Sequence, residues 1–173
     1  LEFGVDINEI SILGNTAYLA TSSDTKELLV LDIANPAAPV EIGSYNALGA
    51  ADGKSVYAKT PKRVYLGRNG SSDNELLILD ASNPASITLR GSSNVSSSVF
   101  AVMSAGTQAF LGTDDVNEEF QNFDIKNPAS IQQLGQINLS NIATGAAYDN
   151  NIVYMSVQNN DILQLISSCD DDD

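Results

Sequence analysis

Three aspartates stand at the end of apolar runs and three residues ahead of an Asn-Pro pair. They are Asp32 in LLVLDIANPAAPVEIGS, Asp80 in LLILDASNPASITLRGS and Asp124 in FQNFDIKNPASIQQLGQ. A carboxylate in such a place is a candidate general acid or base, but a fold normally needs a catalytic group once. Here the unit occurs three times, at steps of 48 and 44 residues. A carboxylate at a strand end also accepts hydrogen bonds from backbone N–H groups two or three residues on, and Asn before Pro is held extended. The recurrence therefore predicts that Asp32, Asp80 and Asp124 turn one strand into the next, with no catalytic role.

Little other chemistry is open to the chain. It has no histidine and a single cysteine, Cys169, so neither a Ser-His-Asp or Cys-His pair nor a zinc site of the usual nitrogen and sulfur ligands is expected. The stretch GAADGKS, Gly49 to Ser55, looks like a phosphate loop but has Leu48 where the first glycine belongs, and a strand pattern follows it. Asn69, Asn94 and Asn138 begin N-x-S triplets, as a chain rich in Asn and Ser does by chance. Arg63, Arg68 and Arg90 all lie in the second repeat and read as surface cations. A net charge of −14 opposes phosphate backbones and anionic headgroups, so nucleic acid is not an expected partner. No apolar run approaches the ~20 residues of a membrane-spanning helix.

The elements that position these residues are strands. AYLAT, VYLGR, AFLGT and VYMSV place Tyr18, Tyr65, Phe110 and Tyr154 at steps of 47, 45 and 44, so there are four copies, near the spacing of four-stranded propeller blades. Apolar residues alternate with period two, and no helical period stands out. The first copy reads as strand A over 7–13, B over 17–21, C over 27–33 and D over 40–45, with a Gly14-Asn15 turn between A and B. The later A to B turns fall at Pro61-Lys62, Ala105-Gly106 and Asn150-Asn151. The fold class expected is all-β: a β-propeller of four blades, each of four antiparallel strands. One domain is expected over 1–169, with blades at about 7–45, 53–92, 97–138 and 142–166, and an acidic tail at 170–173. Copy four lacks a D strand, whereas LEFGVD at the start resembles the D phrases VEIGSY, TLRGSS and QQLGQI, with Gly4 matching Gly43, Gly91 and Gly135. Residues 1–6 are therefore expected to complete the fourth blade, with 1–5 pairing with 161–166 and closing the ring, which would leave no open edge.

The B to C loops read TSSDTKE, RNGSSDNE, TDDVNEE and QNND. Blades share one orientation, so these loops emerge on one face, carrying Asp24, Glu27, Asp73, Glu75, Asp114, Asp115, Glu118, Glu119 and Asp161. TDDVNEE packs oxygen donors densely enough to suggest Ca²⁺, with Asp114, Asp115, Asn117, Glu118 and Glu119 as ligands, although no EF-hand pattern is present. Asp24, Glu27, Asp73, Glu75 and Asp161 are the remaining partner-face residues. The opposite face, bearing Lys62, Arg63 and Lys126, is the candidate for self-association.

LGNTAYLATSSDTKELLVLDIANPAAPVEIGSY resembles the LVIVD repeat family of bacterial and archaeal surface proteins, and the likeness runs over nearly the whole chain. Copy four departs, with Ile166 where the family has Asp and Cys169 where it has Asn. The resemblance implies a β-propeller in an extracellular or cell-surface setting, and it implies no catalytic residues. Apart from Ca²⁺, no cofactor is expected. The function expected is a non-catalytic recognition or display module for a protein or a glycan. Two rivals are a structural spacer or ectodomain of a pilin-like surface filament, and a glycan-active enzyme with paired carboxylates ~5 to 9 Å apart.

Overall fold

The C strands of the first two copies, LLVLD and LLILD, are apolar on every residue but the last, a pattern that requires cover on both faces. The computed structural model, which describes residues 2–158 and 163–167, provides that cover by stacking four antiparallel sheets as blades. The first holds β1 (Ile7–Leu13), β2 (Thr16–Thr21), β3 (Leu28–Asp32) and β4 (Val40–Tyr45). The second holds β5 (Gly53–Thr60), β6 (Arg63–Arg68), β7 (Leu76–Asp80) and β8 (Thr88–Ser93). The third holds β9 (Val99–Ala105), β10 (Gln108–Thr113), β11 (Phe120–Asp124) and β12 (Gln132–Ile137). The fourth holds β13 (Ala143–Asp149), β14 (Ile152–Val157) and β15 (Leu163–Ser167). The chain is a four-bladed β-propeller, with every sheet in simple meander order.

Each interface between blades has its own core. Tyr18, Ala20, Leu28 and Val30 of the first blade meet Val56, Ala58, Val64, Leu66, Leu77 and Leu79 of the second. Tyr65, Leu76 and Ile78 of the second meet Val99, Val102, Ala109, Leu111 and Phe123 of the third. Met103, Phe110 and Phe120 of the third meet Ala143, Val153, Met155 and Val157 of the fourth. Inner strands pack in series, β1 on β5, β5 on β9 and β9 on β13.

The aspartates make the turn bonds that their recurrence predicts. Asp32 Oδ1 accepts from Ala34 N at 2.8 Å, Asp80 Oδ1 from Ser82 N at 3.0 Å and Asp124 Oδ1 from Lys126 N at 2.8 Å. Each bond tightens the turn leading to the D strand. In the second and third blades the Asn-Pro that follows opens a short 3-10 turn, Pro84–Ser86 and Pro128–Ser130, with Pro supplying a fixed φ where no N–H is needed.

Among the described residues the expected closing strand does not form. Residues 2–6 lie outside any strand, and β15 pairs with β14 alone among the described residues. Leu1, Asp161 and Ile162 fall outside the described residues. Gly4, at φ 68°, helps turn the segment, and Phe3 packs with Ile7 and Ile33 over Ala17, Leu19, Leu29 and Leu31 on the outer face of the first blade. Burying an aromatic side chain on an apolar face is worth about 2 kcal/mol, while backbone groups left out of an edge strand can bond water instead.

Candidate interaction face

Every described B to C loop of the first three blades is closed at its neck in the same way. Thr21 N donates to Glu27 O at 3.0 Å, Arg68 N to Glu75 O at 2.9 Å and Thr113 N to Glu119 O at 2.8 Å. A side chain adds a second stay: Thr21 Oγ1 donates to Lys26 O at 2.7 Å, Arg68 Nη1 to Asn74 O at 3.1 Å and Thr113 Oγ1 to Glu118 O at 2.9 Å.

The glutamates at these necks turn inward. Glu27 and Glu75 are 0% exposed and Glu119 is 5% exposed. Each carboxylate accepts, through Oε2, the backbone N–H of the residue twenty positions on: Ala47, Val95 and Leu139, all at 2.8 Å. The loop is thereby tied to the segment that leads into the next blade. Glu27, Glu75 and Glu119 are thus not part of the exposed acidic face expected for them, because a carboxylate buried to this degree is out of reach of a partner in solution. Burial pushes the Glu27 carboxyl above its ordinary range; the Ala47 N–H and then the Arg68 charge pull in the opposite direction. Its other oxygen, Oε1, is buried without a donor.

The proposed calcium ligands do not converge. Asp114 Oδ1 accepts from Ser98 N at 2.8 Å and Asp115 Oδ1 from Asn117 N at 2.9 Å. Glu118 turns toward β12, where Gln136 Nε2 and Gln133 Nε2 donate to it at 2.7 and 3.2 Å, and Glu119 points into the core. Among the described residues no three acidic, cysteine or histidine side chains form a group able to hold a metal ion. Loop geometry overrides composition here, since Asp114 and Asp115 cap backbone N–H groups, Glu118 reaches to β12 and Glu119 turns inward.

What remains exposed is a tier of loop crowns. Asp24 is exposed, and Asp73, Asp115 and Glu118 are half-buried, on loops of three successive blades; Asp161 lies outside the described residues. Arg68, read from the sequence as a surface cation, is buried beneath this tier. Its Nε donates to Ala51 O at 3.2 Å and its Nη2 to Leu48 O at 2.6 Å, so it braces the 48–51 segment. Arg63 donates to Ile125 O of the third blade at 3.4 Å and Arg90 pairs with Asp80 at 3.4 Å.

Residues 6–47 and 70–95 match the model of the LVIVD repeat. Two stretches of the chain are thus similar to that repeat. The first match holds the β1 to β4 blade, and the second holds the neck glutamate Glu75 and the whole of β7 and β8. No curated protein matches the sequence significantly. Solved structures are similar in fold. The computationally designed Ika4 protein is 14% identical, with 96% of this chain and 93% of that chain covered and a TM-score of 0.72. A chain of the nidogen/laminin complex is 10% identical, with 91% and 58% covered and a TM-score of 0.63. A chain of YCF48 bound to D1 peptide is 9% identical, with 94% and 53% covered and a TM-score of 0.59. This chain thus spans little more than half the length of the latter two.

One cleft, of about 520 Å³, opens between the third and fourth blades, lined by Gln108, Phe110, Phe120, Asn122, Tyr148 and Ile166 among others. In the first two interfaces, Ile87 and Ile131, which follow the proline turns, pack against the shared cores. The third core has no counterpart to them among the described residues. Asn122 Oδ1 is buried there without a donor.

Proposed function

We propose that this chain is a non-catalytic protein-recognition module, displayed outside the cell, whose partner meets the crowns of the B to C loops. The observation that carries this reading is one clamp under three different crowns. Glu27, Glu75 and Glu119 fix their loops by the same bond, while TSSDTK, RNGSSDN and TDDVNE above them share little sequence. A rigid base with variable tips is the arrangement that binding loops require. Two of the similar structures, nidogen with laminin and YCF48 with D1 peptide, are complexes with a protein or peptide, which supports a protein ligand. The likeness of LVIVD repeats to surface proteins supports the setting. Locking of the most buried carboxylates onto backbone N–H groups supports the non-catalytic part of the reading.

The crowns are acidic on balance, with Lys26 paired to Glu41, so the partner surface is basic, and encounter is steered by the field. Selection of a random peptide display library on the immobilised chain tests this. Enriched peptides should be rich in Lys and Arg, and should lose binding at least tenfold when Asp24, Asp73 and Asp115 are changed to Asn and Glu118 to Gln. Enrichment of peptides indifferent to these four residues would sink the reading.

A glycan ligand is favoured by a different observation, the cleft, where Tyr148 stacks on Phe110 at 5.9 Å beside the unpaired Asn122 oxygen. Aromatic faces with amide groups suit sugar rings, and a glycan array read with Tyr148→Ala as control separates that ligand from a basic peptide.

A further inference from the structure

We infer that Leu48 and Val116 are apolar anchors held out from the crown face, and that the partner segment they meet carries large apolar side chains among its lysines and arginines, an extension that rests on the reading of the crowns proposed above. Among the described residues, Leu48 and Val116 are the two most exposed large apolar side chains, at 84% and 77%. Val116 stands on the crown of the third blade, and Leu48 on the connector from β4 to β5. Tyr45 at the end of β4 pairs with Leu28 at the start of β3, and Gly53 at the start of β5 pairs with Arg68 at the end of β6. That connector therefore emerges on the same face as the B to C loops. Both tips lie on or between the three complete sheets, so neither is bare for want of a strand.

A lone exposed leucine is ordinary on a protein surface, but the support beneath this one is not. Between the residue that each neck glutamate binds and the next inner strand, the first connector has five residues, 48–52, whereas 96–98 and 140–142 have three. The longer connector occurs where Arg68 stands in the neck position that Thr21 and Thr113 hold elsewhere. Four side-chain bonds fix it. Ala47 N donates to Glu27 Oε2 at 2.8 Å, Arg68 Nη2 to Leu48 O at 2.6 Å, Arg68 Nε to Ala51 O at 3.2 Å and Asn69 Nδ2 to Asp52 Oδ2 at 3.1 Å. Ala47 and Ala51 are buried, so the segment is seated at both ends while Leu48 projects. A guanidinium buried to 1% exposure carries a desolvation cost that a threonine at this neck would not, and what it adds is the brace on 48–51. Val116 is held in the same manner, its carbonyl accepting from Asn138 Nδ2 at 3.3 Å. With the backbone ordered beforehand, less freedom is lost when these side chains are buried against a partner. Acid stands beside both tips: a Cβ on Gly49 would overlap the Asp73 carboxylate, and Asp115 precedes Val116. Charge complementarity then places basic groups next to the partner's apolar ones.

Two synthetic peptides of equal length and charge test this on the whole chain, one repeating Lys-Gly-Leu-Ser and the other Lys-Gly-Ser-Ser, with binding read by fluorescence anisotropy. The parent should bind the leucine peptide at least about tenfold more tightly, as burial of an apolar side chain implies. Leu48→Ser should lose most of this preference, and Leu48→Ser with Val116→Ser all of it. What is left is the weaker, salt-sensitive binding common to both peptides. Leu134→Ser on β12, exposed but off the crown face, should behave as the parent does. All three positions are exposed, so melting curves of these variants should match that of the parent. Arg68→Thr keeps a hydroxyl at the neck and frees the 48–51 segment, so the ratio of the two affinities should fall; should it fail to fold, the serine variants decide alone. Equal affinity of the parent for the two peptides, no binding of the leucine peptide at about 1 mM, or a preference that survives the double variant overturns the inference. The crown reading is judged separately. It fails if changing Asp24, Asp73 and Asp115 to Asn and Glu118 to Gln leaves binding of the serine peptide unchanged, and it stands if that binding falls while no preference for leucine is seen.

Discussion

Gly43 lies so close beneath the Pro84 carbonyl of the next blade that a Cβ built on it would overlap the Pro84 oxygen. Gly91 and Pro128 repeat the relationship one blade on, whereas a Cβ on Gly135 would meet nothing within 4 Å. The D-strand glycine and the Asn-Pro turn, separate features in the sequence, are thus two halves of a lock between blades.

Alanine at Gly43 or Gly91 should therefore destabilise the protein by about 1 to 3 kcal/mol, the usual cost of forcing a methyl group into packed backbone. Alanine at Gly135 should change stability by less than about 0.5 kcal/mol. Urea midpoints of the three variants check this; equal losses at all three sites would mean that glycine serves the strand and not the lock.

The neck glutamates should respond to deletion and to pH in different ways. Glu75→Ala leaves the N–H groups of Val95, Ser96 and Ser71 without their acceptor and should cost about 1 to 3 kcal/mol. Glu27 is held above its ordinary carboxyl range by burial, so the folded state binds its proton more tightly than the unfolded state does. Stability is then lost as pH rises from the unfolded value, 4.5, through the folded one, and the penalty is constant above it. Glu27→Gln keeps an acceptor for Ala47 N and removes the charge, so its stability relative to the parent should improve as pH rises through that window. Denaturant unfolding across the acid range reads the difference, and a pH-independent difference would place the linkage elsewhere.

Asp80 has the opposite sign. The Ser82 hydroxyl and then the Ser82 N–H hold its carboxyl below the usual range, with a smaller contribution from Arg90. Its stabilisation is present above the ordinary carboxylate pKa and is lost as pH falls through the lowered value. Asp80→Ala should cost about 1 to 2 kcal/mol at neutral pH and progressively less in acid. Asp32→Ala, with the Ala34 N–H bond alone at that carboxylate, should cost less. A cost for Asp80→Ala that does not shrink in acid would rule out the charged turn.

The repeat made the blades legible. Tyr18, Tyr65, Phe110 and Tyr154 mark the B strands, and β1 and β4 begin and end where the pattern of the first copy places them. Asp32, Asp80 and Asp124 were legible for the same reason, since recurrence at blade spacing marks a structural part. That logic extends to Glu27, Glu75 and Glu119, which recur at 48 and 44 residues like the aspartates. Counting them as loop charge hid the clamp. Burial of Arg68 was not legible, because its counterparts are Thr21 and Thr113 and nothing local marks the change in length. The course of residues 2–6 was misread because the Gly4 phrase carries strand chemistry, whereas Phe3 has a better apolar surface at hand.

Serial packing of the blades has a thermodynamic consequence. Each described blade core joins a blade only to its neighbour, so the molecule is coupled like a short linear lattice, with two interior units and two terminal ones. The second and third blades are held from both sides. The fourth, with three described strands and one covered face, is the unit whose detachment exposes the least core. Amide protons of β6 and β10 then report global unfolding, while those of β14 and β15 exchange through a partial opening that leaves the loop crowns of the first three blades in place.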